Sequence, residues 1–189
     1  RNYNLLRNLS DRITFDLLTL GESTGFLHDR RLIGQLGEQC HRVHLVDRAS
    51  LRSLELSFFQ RVKNVFSPHP FSCGEGVSDE VMKALESCII SKRYALLYCC
   101  GVSMGAYAQP FVGKIPLVVD AVDSFSLLQS SFLSNAMGVK RRVKGTIDLI
   151  WGKRYERRHL GRIADLIFVS PIDRDSAMRN CPYSDTWVV

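Results

Sequence analysis

Short apolar runs alternate along the chain with longer stretches in which apolar residues recur every three or four positions. The runs I-T-F-D-L-L-T-L over 13–20, R-V-H-L-V over 42–46, A-L-L-Y-C over 95–99, P-L-V-V-D over 116–120 and L-I-F-V-S over 166–170 read as strands, and 186–189 begins another. In 42–46, Val43 and Leu45 share one face and His44 takes the other. Leu117–Val119 is apolar and β-branched in the manner of a strand buried on both faces. Helical spacing predicts helices over 2–10, 29–40, 51–66, 78–91, 124–137, 144–163 and 172–179, with a short one over 101–108 that Pro110 ends. The clearest stripe is Leu51, Leu54, Phe58, Val62 and Val65. Asp29 can cap the helix that follows it, and Ser78 is the N-cap of the next, with Asp79 and Glu80 in its first turn. Gly138 separates the two long helical stretches, and loops fall over 21–25 and 67–76.

Strand and helix in alternation, with connections long enough for parallel pairing, predict a three-layer α/β/α sandwich. Its sheet is mostly parallel and Rossmann-like. No internal repeat, low-complexity tract or linker divides the chain, so 1–189 reads as one domain. The chain opens on a helix without the strand that usually precedes it, and it ends inside an apolar strand. This predicts a domain cut from a larger protein, with a strand before Arg1 or another segment in its slot.

Composition narrows the partners. The 189 residues are 46% hydrophobic, which fits a globular chain, and no apolar run approaches the roughly 18 residues of a membrane span. The opening R-N-Y-N-L-L-R is too polar for a signal peptide. A net charge of +6 and a pI near 9.1 favour anionic partners. None of the six cysteines forms a C-x-x-C pair, so zinc is not expected, and the set reads as reduced and cytosolic. No G-x-x-x-x-G-K-[ST] loop and no G-x-S-x-G elbow occurs, and the five histidines do not pair at metal-ligand spacing. The expectation is neither metal nor cofactor.

Two stretches carry candidate chemistry. Asp120, Asp123 and Ser124 follow the run Leu117–Val119 at the point where a strand stops, and ligands of open parallel sheets bind beyond the carboxyl ends of strands. The alternative is that Asp123 or Ser124 only caps the next helix. The second stretch is basic: Lys140, Arg141, Arg142, Lys144, Lys153, Arg154, Arg157, Arg158 and Arg162 are opposed only by Asp148 and Glu156. Ile147, Ile150, Trp151 and Tyr155 recur at helical spacing through it, which makes an amphipathic helix with a cationic face. Either that helix is solvated outside and packed inside, or Lys153, Arg154, Arg157 and Arg158 meet an anionic membrane surface with Trp151 as an interfacial anchor. Glu156 is expected to pair with a neighbouring arginine. Nucleic acid is not expected, because no stacking aromatics interleave with the charges.

R-N-Y-N-L-L-R-N-L-S over 1–10, S-M-G-A-Y-A over 103–108, I-P-L-V-V-D-A-V-D-S over 115–124, K-R-Y-E-R-R over 153–158 and A-D-L-I-F-V-S-P-I-D over 164–173 occur in this order. Together they resemble the N-terminal, acceptor-side domain of family four of the retaining, GT-B-fold glycosyltransferases, nearly end to end. The resemblance lies closest to polysaccharide-biosynthesis members that carry D-x-V-D-S. Many members hold a histidine just after the fifth strand, where this chain has Val122 and Asp123. The resemblance implies transfer of a sugar, with retention, from a nucleotide-sugar to a polysaccharide or lipid-linked acceptor. The donor would be held by a second domain that P-N-G-V-D opens after W-V-V in such proteins. It implies that Asp123 is catalytic and that Asp120, Ser124, Ser103, Met104, Tyr107, Arg1, Asn2 and Ser170 contribute to substrate binding. It implies a cytoplasmic enzyme, peripheral on the inner face of the cell membrane, and a fragment inert without the second domain. The competing reading is a non-catalytic basic α/β module that docks on a membrane or a protein.

Overall fold

The computed structural model describes residues 2–21, 34, 37–47, 59, 77–91, 94–163, 165–182 and 184–189. The chain forms two compact units, Arg1–Glu55 with Ser78–Lys92, and Leu56–Val77 with Arg93–Val189. The expected helix over 51–66, the loops over 22–25 and 67–76, Arg1 and most of the helix over 29–40 lie outside the described residues; Gly34, Gly37 and Phe59 are helical.

The first unit holds helix α1 (Asn2–Leu9), strands β1 (Asp16–Gly21) and β2 (Arg42–Asp47), and helix α2 (Asp79–Ser91). The strands are parallel, in register from Asp16↔Arg42 to Gly21↔Asp47. The Ser78 hydroxyl accepts from Val81 N at 3.4 Å, so it starts α2 as its position predicts. Val81 and Leu85, one turn apart, are the residues α2 buries, and the helix packs on β2.

The second unit is built on β3 (Leu97–Cys100), β4 (Leu117–Val122), β5 (Asp165–Phe168) and β6 (Asp185–Val188), hydrogen-bonded in that order and all parallel. Among the described residues the strands therefore lie in two sheets, not the single one expected, because no described strand pairs with both β1 and β3. The class is α/β with parallel sheets, compatible with a Rossmann-like arrangement. Leu117, Val119 and Ala121 from β4 and Leu166 and Phe168 from β5 form the centre of the core. Alternate residues of a strand share a face, which is why these and not Val118 or Ile167 are fully covered.

After β3 the chain makes a 3₁₀ turn over Val102–Met104, the short helix α3 (Gly105–Ala108) and a second 3₁₀ turn over Gln109–Phe111. Between β4 and β5 come α4 (Phe125–Ser134), α5 (Val139–Tyr155) and a π turn over Glu156–Leu160; α6 (Pro171–Met178) joins β5 to β6. The second long helix starts at Val139, earlier than the pattern suggests, because Gly138 at φ 86° makes a break that other residues resist. Helices α4 and α5 form an antiparallel hairpin whose close approach rests on glycine. A Cβ on Gly152 would stand 2.8 Å from Phe125 Cδ1, and one on Gly145 3.1 Å from Leu133 Cδ1. No described helix is long and apolar enough to cross a membrane.

Candidate functional site

Strand β4 does not simply run out; it is turned. Its pairing with β5 shifts register between Asp120 and Val122. Val122 then adopts φ 66°, and among the described residues no other non-glycine has positive φ. A β-branched residue held in the left-handed region costs roughly 1–2 kcal/mol. The Asp123 amide donates back to the Ala121 carbonyl at 2.8 Å, closing a three-residue turn of the less common hand. The Val169 amide donates to the Val122 carbonyl at 3.1 Å and ties the strained residue to the chain leaving β5. The turn leaves Asp123 exposed at the carboxyl end of the sheet.

Immediately behind Asp123 the polar groups turn inward. Ser124 is fully buried and is the N-cap of α4: its hydroxyl accepts from Leu127 N at 3.2 Å and donates to Glu156 Oε1 at 2.9 Å. Its amide donates to Asp173 Oδ1 at 2.9 Å. Glu156, equally buried, also receives the Ser126 amide on Oε1 at 3.0 Å and the Asn180 amide group on Oε2 at 2.6 Å. Its partners among the described residues are therefore two serines and an asparagine, not the neighbouring arginine expected. The π turn brings this about: the Glu156 carbonyl is met by Gly161 N at 2.8 Å and by the Cys181 thiol at 3.1 Å, so the residue is held from both ends.

The other candidates divide between the edge and its supports. Asp120 is fully buried on β4, and its Oδ2 accepts from the Tyr98 hydroxyl on β3 at 2.7 Å. Ser103 and Met104 are half-buried beyond β3, Met104 against the core, and Tyr107 is buried on α3. The Ser103 and Val102 carbonyls share the Tyr155 hydroxyl at 2.9 and 2.8 Å, while Ala106 N donates to the same oxygen at 3.0 Å. Ser170 caps α6, accepting from Ile172 N and Asp173 N at 3.1 and 3.2 Å. Asn2 opens α1 in the first unit, and Arg1 lies outside the described residues. Lys153, Arg154 and Arg157 are exposed and Arg158 is half-buried. Trp151 is only 2% exposed, so it is a core residue and not the interfacial anchor entertained above; the apolar side of α5 docks inside.

Glu156, Asp173, Asn180 and Tyr155 were not singled out as site supports from sequence. Asp173 had a signal, since Ser170-x-x-Asp173 has the spacing of a reciprocal cap. Glu156 and Asn180 had none, because their partners lie far along the chain.

Three chemical consequences follow. The first-turn donors at Ser126 and Leu127 of α4, and at Ile172 and Asp173 of α6, already have acceptors within the fold. These helix starts are thus occupied by the protein's own oxygens, not offered to a phosphate. The exposed Asp123 carboxylate is an acceptor, suited to a ligand hydroxyl. Two buried thiols of this unit are poor nucleophiles: burial, with a contribution from Cys100, pushes the Cys99 thiol up to about 12. Burial and then the Glu156 charge, opposed by Arg157, push Cys181 up to about 12. Among the described residues no group of three or more His, Cys, Asp or Glu gathers to hold a metal ion. The chain matches no protein-family model, no curated protein and no solved structure.

Proposed function

We propose that this chain is the acceptor-side domain of a retaining glycosyltransferase that moves a sugar from a nucleotide-sugar to a polysaccharide or lipid-linked acceptor. The observation that carries the reading is the strained Val122 corner, which presents the Asp123 carboxylate at the carboxyl edge of a parallel sheet. The filled helix starts beside it support an acceptor role over a phosphate-binding one. The motif order over 103–173 supports the family. Asp123 receives the hydrogen bond of an acceptor hydroxyl and holds it toward the donor sugar. Ser124 and Asp120 act from beneath, holding the corner through Glu156 and Tyr98. The diphosphate is handled by the second domain.

The test uses the parent protein with both domains. Replacing Asp123 by Asn should lower kcat/KM for acceptor about a hundredfold or more, with donor binding unchanged. The 189-residue chain alone should neither transfer nor hydrolyse a nucleotide-sugar above a buffer blank. Wild-type transfer rates in the Asp123→Asn protein, or activity of the isolated chain, would remove the reading.

A further inference from the structure

We infer that the tip of the α4–α5 hairpin is a docking surface for anionic lipid headgroups, with apolar side chains that enter the membrane interface. The observation is a contiguous stretch of chain that the fold leaves uncovered. Phe132 is 60% exposed, Met137 81%, Val139 80% and Val143 49%. Such side chains fall scattered on most surfaces; here four of them lie at one turn and the two helix ends that meet there. Val139 and Val143 are one helical turn apart, and Ile147 and Ile150 continue the same stripe. Ile150 is still 41% exposed, while Trp151 and Tyr155, on the packed side of α5, are covered. The stripe is therefore not the face that α5 uses for the core.

Charge chooses the occupant. Lys140, Arg141, Arg142 and Lys144 stand among these apolar residues, all exposed. No Asp or Glu occurs between Asp123 and Asp148, so the turn and the start of α5 carry no negative side chain. Apolar side chains flanked by lysine and arginine match an anionic interface: the chains enter the headgroup and acyl boundary while the cations stay at headgroup level. A second copy of the chain fits poorly, because an isologous contact through this tip would bring two cationic clusters together. This surface differs from the group Lys153, Arg154, Arg157 and Arg158 near the far end of α5. Those residues follow the buried Trp151, about three helical turns beyond Val143. The inference is independent of the transferase reading.

The test is co-sedimentation of the protein with vesicles of phosphatidylcholine alone and of phosphatidylcholine with phosphatidylglycerol, at low and high salt. Three variants accompany the wild type: Lys140→Gln/Arg141→Gln/Arg142→Gln/Lys144→Gln, Met137→Ser/Val139→Ser/Val143→Ser, and Lys153→Gln/Arg154→Gln/Arg157→Gln. All replaced residues are exposed, and circular dichroism confirms that each variant folds. The wild type should bind the anionic vesicles and not the neutral ones. The tip-charge variant should lose about a hundredfold in partitioning, and the apolar variant should lose the part that survives high salt, about tenfold. The third variant should stay within about threefold of wild type. No binding to anionic vesicles, equal binding to neutral ones, or a third variant that loses as much as the first would each overturn the inference. So would a wild-type dimer in size-exclusion chromatography that the apolar variant dissolves, since the tip would then be a self-association surface.

Discussion

The Glu156 carboxylate accepts the Ser124 hydroxyl at 2.9 Å across 32 positions of sequence. This one contact joins the start of α4 to the π turn that ends α5, so both ends of the helical hairpin are referred to the same buried group. A negative group at a helix N-terminus complements the positive end of the helix dipole, and here it does so away from water. The rigid seat beneath Asp123 depends on it.

Replacing Glu156 by Ala should therefore destabilise the protein by about 3–5 kcal/mol, since the Ser126 amide is left unmet and the Ser124 hydroxyl and Asn180 amide each lose an acceptor. Glu156→Gln should cost about half as much, because one acceptor oxygen becomes a donor facing donors. Urea titration followed by circular dichroism measures both. An Ala variant as stable as wild type would mean the network holds nothing.

At Val122 the expected effect is small. Val122→Gly removes the left-handed penalty of a β-branched residue, at the expense of a more flexible unfolded chain and of half-buried apolar surface. Stability should change by no more than about 1 kcal/mol in either direction. Val119→Gly, at a fully buried position of the same strand, should lose about 3 kcal/mol or more. Equal losses at the two positions would show that Val122 is not strained.

The raised thiols set a pH dependence. Cys99 and Cys181 rise from an ordinary value of 9.0 to about 12 in the folded protein. Above pH 9 the unfolded chain releases these protons while the folded chain keeps them, so the unfolded state binds fewer protons and stability falls as pH rises. The loss should begin near pH 9 and be complete near pH 12. Denaturation at pH 8 and pH 10.5 should show the decline, and Cys99→Ala/Cys181→Ala should flatten it. A thiol reagent at pH 8 should label the exposed Cys100 well before either buried thiol.

Local pattern carried the element order. Each described strand lies within three residues of its apolar run, because period-two burial and β-branched residues are properties of neighbours in sequence. Ser78 and Ser124 were legible as candidate caps for the same reason, since a cap reaches only its own first turn, whereas Ser170, read as a strand end, proves to cap α6. The cationic character of 140–158 also stood in the sequence, because charge needs no partner to be counted.

What only the tertiary structure decided depends on residues far apart. That Trp151 is buried while Val139 is open follows from where α4 lies against α5, and the helical period of α5 alone allows either face to be covered. That Glu156 meets Ser124 and Asn180, not an arginine one position away, depends on the π turn and on the chain returning at α6. That Asp123 points outward depends on the left-handed Val122, a backbone state no sequence rule assigns to valine, imposed by the register shift against β5 and the bond from Val169. Short-range periodicity determined the elements of this protein; long-range hydrogen bonds and packing decided which of its polar residues hold the fold and which stay exposed at the sheet edge.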